Sequence, residues 1–109
     1  MSVLWRTFRA IPQYRGKTTL IVTTDHGRGI GPHSWRHHGA KISGSDDAWI
    51  AIIGPDTQAT GEVQSKGDYT IGQIAATLAA FLGEDYCAAV PKAAPPIVGA
   101  LDWIVPAGP

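Results

Sequence analysis

The residues able to do chemistry crowd into one stretch of this chain. Residues 18–29 read TTLIVTTDHGRG, so Asp25 and His26 stand side by side where an apolar run stops, with Gly27 directly after them. A carboxylate oxygen is a hard ligand and an imidazole nitrogen a borderline one. That pairing suits Zn²⁺ and also admits Mn²⁺. Gly27 lets the backbone turn sharply, which neighbouring residues need if both side chains are to reach one ion. All four histidines, His26, His33, His37 and His38, fall within this part of the chain. Asp25, His26 and His38 read as metal ligands, whereas His33 and His37 read as solvated loop residues. Arg28 is a candidate contact for substrate oxygens, and a solvated loop charge is the competing reading. An Asp-His-Gly tripeptide alone is common; the histidines that follow give it weight.

The elements that must position these residues can be read outward from them. The run at 18–24 has an apolar centre rich in β-branched residues, which suits a strand buried on both faces, as in a parallel or mixed sheet. Open α/β sheets bind ligands at the carboxyl ends of such strands, where Asp25 and His26 stand. Residues 25–47 have no sustained period. Loops of that length are functional or disordered, and the bracketing Trp35 and Trp49 favour order. Residues 48–53 (AWIAII) form a second buried strand, closed by Gly54 and Pro55. At the front, residues 2–11 carry Val3, Leu4, Phe8 and Ile11 at helical spacing with Arg6 and Arg9 between, and Pro12 and Gly16 end that helix. Residues 56–68 form a polar second loop. Over 70–82, Thr70 and Gln73 make a capping box, Ile71, Ile74, Leu78, Phe81 and Leu82 form an apolar stripe, and Gly83 stops the helix. The rest is rich in Ala and Pro, with Ile97, Val98, Leu101 and Trp103 as docking residues. The order is helix, strand, long loop, strand, loop, helix, tail: an α/β arrangement over residues 1–96, then a Pro-rich tail at 97–109.

Composition narrows the function classes. At 109 residues there is room for about one small domain. Nine Lys and Arg balance nine Asp and Glu, so no broad basic field exists for nucleic acid or an anionic membrane. The 44% apolar fraction is that of a globular chain. The apolar runs fall far short of the ~20 residues of a membrane span, and residues 1–10 carry no basic-then-apolar export signal. Cys87 is the sole cysteine and cannot form an internal disulfide. Thirteen Gly and eight Pro in so short a chain imply a thin core. Two strands buried on both faces also need more sheet beside them than this chain supplies. The expectation is therefore the end of a larger α/β domain, with Leu20, Val22, Ile50 and Ile52 left exposed. A small free-standing α+β domain is the alternative.

KTTLIVTTDHGRG, then His38-Gly39, then WIAIIGPD, then TIGQIAATLAAFLG resembles the C-terminal part of an alkaline phosphatase superfamily hydrolase. The resemblance covers residues 4–96 in order and spacing. It implies a C-terminal fragment of a three-layer alkaline phosphatase-like sheet domain, taken from an enzyme with two divalent ions, foremost zinc, with manganese also accommodated. In the residues matching the family's motif, Asp25 and His26 ligate the ion that activates the nucleophile, and His38 ligates the other ion. Arg28 has no fixed counterpart. The family's N-terminal motif, with a metal-binding Asp and the nucleophile, has no match here, and neither has its middle Asp-x-x-x-His motif. Thr18, Thr19, Thr23 and Thr24 precede the Asp within the strand and do not occupy the nucleophile's place. The resemblance thus implies a metal-binding piece of a phosphomonoesterase or phosphodiesterase, inactive alone and without a catalytic residue of its own. Its partners would be the rest of the catalytic domain and a phosphate-ester substrate. A sulfatase piece, with one calcium and a sulfate ester, is the enzymatic alternative; His38-Gly39 favours the two-metal branch. A non-catalytic small domain whose histidine loop binds one metal or none is the third reading. Localisation stays open, although complete relatives are often exported.

Overall fold

A computed structural model describes residues 1–63 and 69–101. Part of the second loop and Trp103 of the tail lie outside the described residues. Among the described residues the chain is a small mixed α/β structure with three α-helices and a two-stranded antiparallel sheet. It divides into two compact units, one of residues 21–51 and the other of residues 1–20 with 52–109. No described helix is long and apolar enough to cross a membrane.

Helix α1 spans Ser2–Ala10 and has no buried residue. It stops at Ile11, which is extended, as the residue before a proline prefers. Phe8 meets Tyr14 edge to face, with ring centroids 5.9 Å apart. Strands β1 (Leu20–Thr23) and β2 (Ile50–Ile53) pair directly, as two neighbouring apolar runs should. The two-sided burial expected of them is not realised: Leu20, Val22, Ile50 and Ile52 are half-buried, and Thr23 and Ile53 are exposed. Two strands offer one hydrogen-bonded seam and leave two outer edges, and among the described residues no third strand pairs with either.

The helix expected over 70–82 begins as a 3₁₀ turn at Ile71–Gln73 and continues as α2, Ile74–Phe81. The capping box forms, with the Thr70 amide donating to Gln73 Oε1 at 2.9 Å. At the other end Gly83 has φ +80°, the Gly83 amide donates to Ala80 O, and the Glu84 amide donates to Ala79 O. Those two bonds are the reciprocal pair that closes a helix on a left-handed glycine. A short helix α3, Tyr86–Ala89, follows where the sequence suggested only an Ala- and Pro-rich tail; Asp85 Oδ1 caps it by accepting from the Ala88 amide.

The buried face of α2 is not the apolar stripe. Ile71, Leu78 and Leu82 are exposed, Leu82 by 80%, while Ala76 and Thr77 are buried. Ile97, Ala100 and Leu101 are buried as well, with Ile97 meeting Thr77, so Ile97 and Leu101 are covered as expected while Val98 stays exposed. The small surface of Ala76 and Thr77 admits the backbone of the C-terminal segment at close range. Thr77 Oγ1 donates to Gln73 O at 2.7 Å and accepts from the Ile97 amide at 2.9 Å. One hydroxyl thus satisfies a main-chain donor that burial would otherwise orphan.

Candidate metal centre

The candidate centre sits where β1 ends, and everything that shapes it belongs to the compact unit of residues 21–51. Thr24 faces Trp49 across the end of the hairpin: its amide donates to Trp49 O, and its Oγ1 accepts from the Trp49 amide, both at 3.3 Å. Thr23 Oγ1 donates to Trp49 O at 2.9 Å and also faces Thr24 O. Thr18 Oγ1 donates to Tyr14 O. These hydroxyls tie main chain together.

Past Thr24 the chain is pinned by its glycines. The Gly27 amide donates to Ser45 O at 2.8 Å, and a Cβ on Gly27 would overlap the carbonyl oxygens of Gly44 and Asp47. The Gly29 amide donates to His37 O at 2.9 Å, and a Cβ there would overlap Ser34. Gly27 is thus needed for close approach of a distant strand of loop. The sharp turn expected from sequence is not its reason, since its φ is not positive. Two clasps result, one inside the other, and they return residues 34–38 to the neighbourhood of Asp25 and His26.

Asp25, His26 and His38 come together there. Asp25 Oδ1 lies 3.5 Å from His26 Nε2, and the rings of His26 and His38 stack at a centroid distance of 4.0 Å with 9° between their planes. His26 Nδ1 is 2.6 Å from Gly27 O. A carbonyl oxygen only accepts, so Nδ1 carries the proton in that contact and Nε2 of the neutral ring keeps its lone pair. Two acceptors then face each other across 3.5 Å. Asp25 is almost fully exposed, with 89% of its side chain accessible, so solvent or another polar group can complete its shell.

Around this pair opens a shallow cleft of about 780 Å³. It is lined by Asp25, His26 and Arg28, and by two residues that sequence reasoning left without a role, Asp47 and Trp49. The signal for Asp47 was its place directly before the apolar run 48–53, mirroring Asp25 directly after the run 18–24. Trp49, 56% exposed, was read only as a bracket for the loop. His33, His37 and His38 are exposed and do not line the cleft, so His38 meets the site only through its stack on the His26 ring and does not share one cleft with Asp25 and His26 as expected.

No family model, no curated protein and no solved structure matches this chain. The fit to a metal rests on the donors themselves. In chemistry they suit a divalent cation. In spacing, Asp25 and His26 do so as well, because two ligands each ~2.1 Å from a tetrahedral zinc lie roughly 3.4 Å apart. In number they fall short: among the described residues no group of three or more His, Cys, Asp or Glu side chains is placed to hold an ion. A catalytic zinc takes three protein ligands. The described residues therefore fit part of a metal site and do not complete one.

Proposed function

We propose that this chain is the metal-ligating C-terminal segment of an alkaline phosphatase superfamily hydrolase acting on phosphoric esters, with an alkaline phosphatase-like sheet domain as its parent fold. On this reading the nucleophile and the remaining ligands come from residues other than these 109. The observation that carries it is the convergence of Asp25, His26 and His38. The 3.5 Å between Asp25 Oδ1 and His26 Nε2 is a ligand-to-ligand spacing, and the stacked rings bring His38 beside His26. Asp25 and His26 would hold one divalent ion, zinc or manganese, and His38 would face the second. When bound, such ions polarise ester oxygens and activate a nucleophile. The chain's own residues orient the donors: Gly27 O sets the His26 tautomer, and the Gly29–His37 clasp brings His38 onto the His26 ring. The half-buried strands and the exposed Ile71, Leu78 and Leu82 are what a domain separated from its sheet neighbours would display.

Zinc titration of the isolated chain, read by NMR at the imidazoles, tests the reading. His26 and His38 should shift together, with weak affinity, and Asp25→Asn should weaken the response further. Neither 4-nitrophenyl phosphate nor bis(4-nitrophenyl) phosphate should be hydrolysed. Joined to the proposed remainder of the domain, the chain should support chelator-sensitive turnover that His38→Ala removes. Zinc that moves neither imidazole overturns the assignment. Chelator-sensitive hydrolysis by the isolated chain would make it a complete enzyme instead. The lack of a third donor among the described residues favours a second reading, a non-catalytic domain that binds one cation or none. Zinc binding without activity in the joined protein would select it. A response to calcium alone would point to the sulfatase branch.

A further inference from the structure

Arg28 is the one cation lining the cleft with Asp25 and His26, among the described residues. An exposed arginine on a loop samples many rotamers, and it serves a site only if something restricts it. Trp35 supplies the restriction. The Arg28 guanidinium carbon lies over the Trp35 ring at 6.0 Å from its centroid, and that of Arg36 lies over the same ring at 5.0 Å. Both distances are within reach of cation–π attraction. Among the described residues neither guanidinium pairs with a carboxylate, and Asp25 and Asp47, which line the same cleft, make no ion pair with Arg28. A cation–π contact uses none of the guanidinium's hydrogen bonds, so its N–H donors stay available to another ligand. The loop brings these groups together: the Gly29 amide bonds His37 O, and the His37 amide bonds Ser34 O, so the turn that carries Trp35 and Arg36 folds back beside Arg28.

We infer that Trp35 is a positioning residue that holds Arg28 at the cleft, with Arg36 adding charge to the same ring, so that this arm binds the anionic oxygens of a phosphoryl group. The inference rests on the phosphoric ester reading and assigns the substrate's oxyanion to Arg28, away from the metal donors. A planar fork of donors suits such an oxyanion better than a point charge does.

Phenylglyoxal labelling of the full chain, mapped by mass spectrometry, tests it with inorganic phosphate as the probe and chloride at equal ionic strength as the control. Phosphate should slow labelling of Arg28 about threefold or more and Arg36 in the same direction, and leave Arg6, Arg9 and Arg15 unchanged. Trp35→Leu should remove the protection, and Trp35→Phe, which keeps an aromatic face, should retain most of it. Equal protection of all five arginines, or protection that survives Trp35→Leu, overturns the proposal. A readout without substitution stands beside it: the Arg28 side-chain protons should be displaced upfield by the Trp35 ring current, and resonances at unstructured positions would overturn the positioning role. Zinc shifts at His26 and His38, measured in the same variants, separate the two ideas. Their loss with Arg28 protection intact sinks the metal reading alone, and the reverse sinks this one alone.

Discussion

The histidine loop and the region around α2 are ordered by opposite means. Between Asp25 and Trp49 the buried residues are two glycines, Gly29 and Gly44, and the geometry comes from main-chain bonds such as Gly27 to Ser45 and Gly29 to His37. Around α2 the buried residues carry side chains: Ala76, Thr77, Ile97, Ala100 and Leu101. Hydrophobic stabilisation scales with the apolar area removed from water, so the α2 region has a source of stability that the loop lacks. In the loop, backbone closeness does the equivalent work. The difference teaches where each region is vulnerable: to an added atom in the loop, to a removed atom around α2.

The sharpest way to break this comparison is Gly27→Ala. The new methyl would overlap the carbonyls of Gly44 and Asp47, so the loop must open. The His26–His38 ring contact should disappear from NOE spectra and zinc response should vanish with it. Persistence of the stacked rings would mean that the clasp is not what gathers the donors. Leu101→Ala comes next. Truncating a fully buried leucine typically costs about 2–5 kcal/mol, read by denaturant unfolding. A cost comparable to that of an exposed residue would show that the C-terminal segment is not core. Third is Thr77→Val, which keeps the shape and removes the acceptor for the Ile97 amide; the expected loss is about 1–3 kcal/mol, and Thr77→Ser should recover most of it. A neutral Thr77→Val would demote the hydroxyl to packing. The smallest effect is expected from Gln73→Ala, which leaves the exposed Thr70 amide to water at a cost of roughly 0.5–1 kcal/mol, seen as faster amide exchange in the first turn of the helix.

How far these features were legible in the sequence follows from how local their causes are. Thr70, Gln73 and Gly83 act within a few residues of themselves, so both ends of that helix could be read directly. The pairing of the two apolar runs and the approach of His38 to Asp25 and His26 were also legible, because residue type and order limit where such groups can go. The covered face of α2 was not. Periodicity tells which side of a helix is apolar, but it does not tell whether a neighbour exists to cover it. Thr77 drew no notice because its partner, the Ile97 amide, is twenty residues away. Gly27 seemed to serve a turn because the atoms that exclude a side chain there belong to Gly44 and Asp47, which are distant in sequence. Each misreading involved a contact whose second half lay outside the window in which sequence patterns operate.

The nested clasps have a consequence for how this loop can change length. The Gly29–His37 bond closes an inner loop, and the Gly27–Ser45 bond closes an outer one. Between the inner pair, Gly31 has φ +107° with open space where a side chain would stand. Residues added near Gly31 would lengthen the tip without displacing either clasp. Lengthening a loop is entropically cheap, about 0.6 kcal/mol for each doubling. The tip is therefore a graft point where new recognition elements, natural or engineered, can be appended while Asp25, His26 and His38 keep their places.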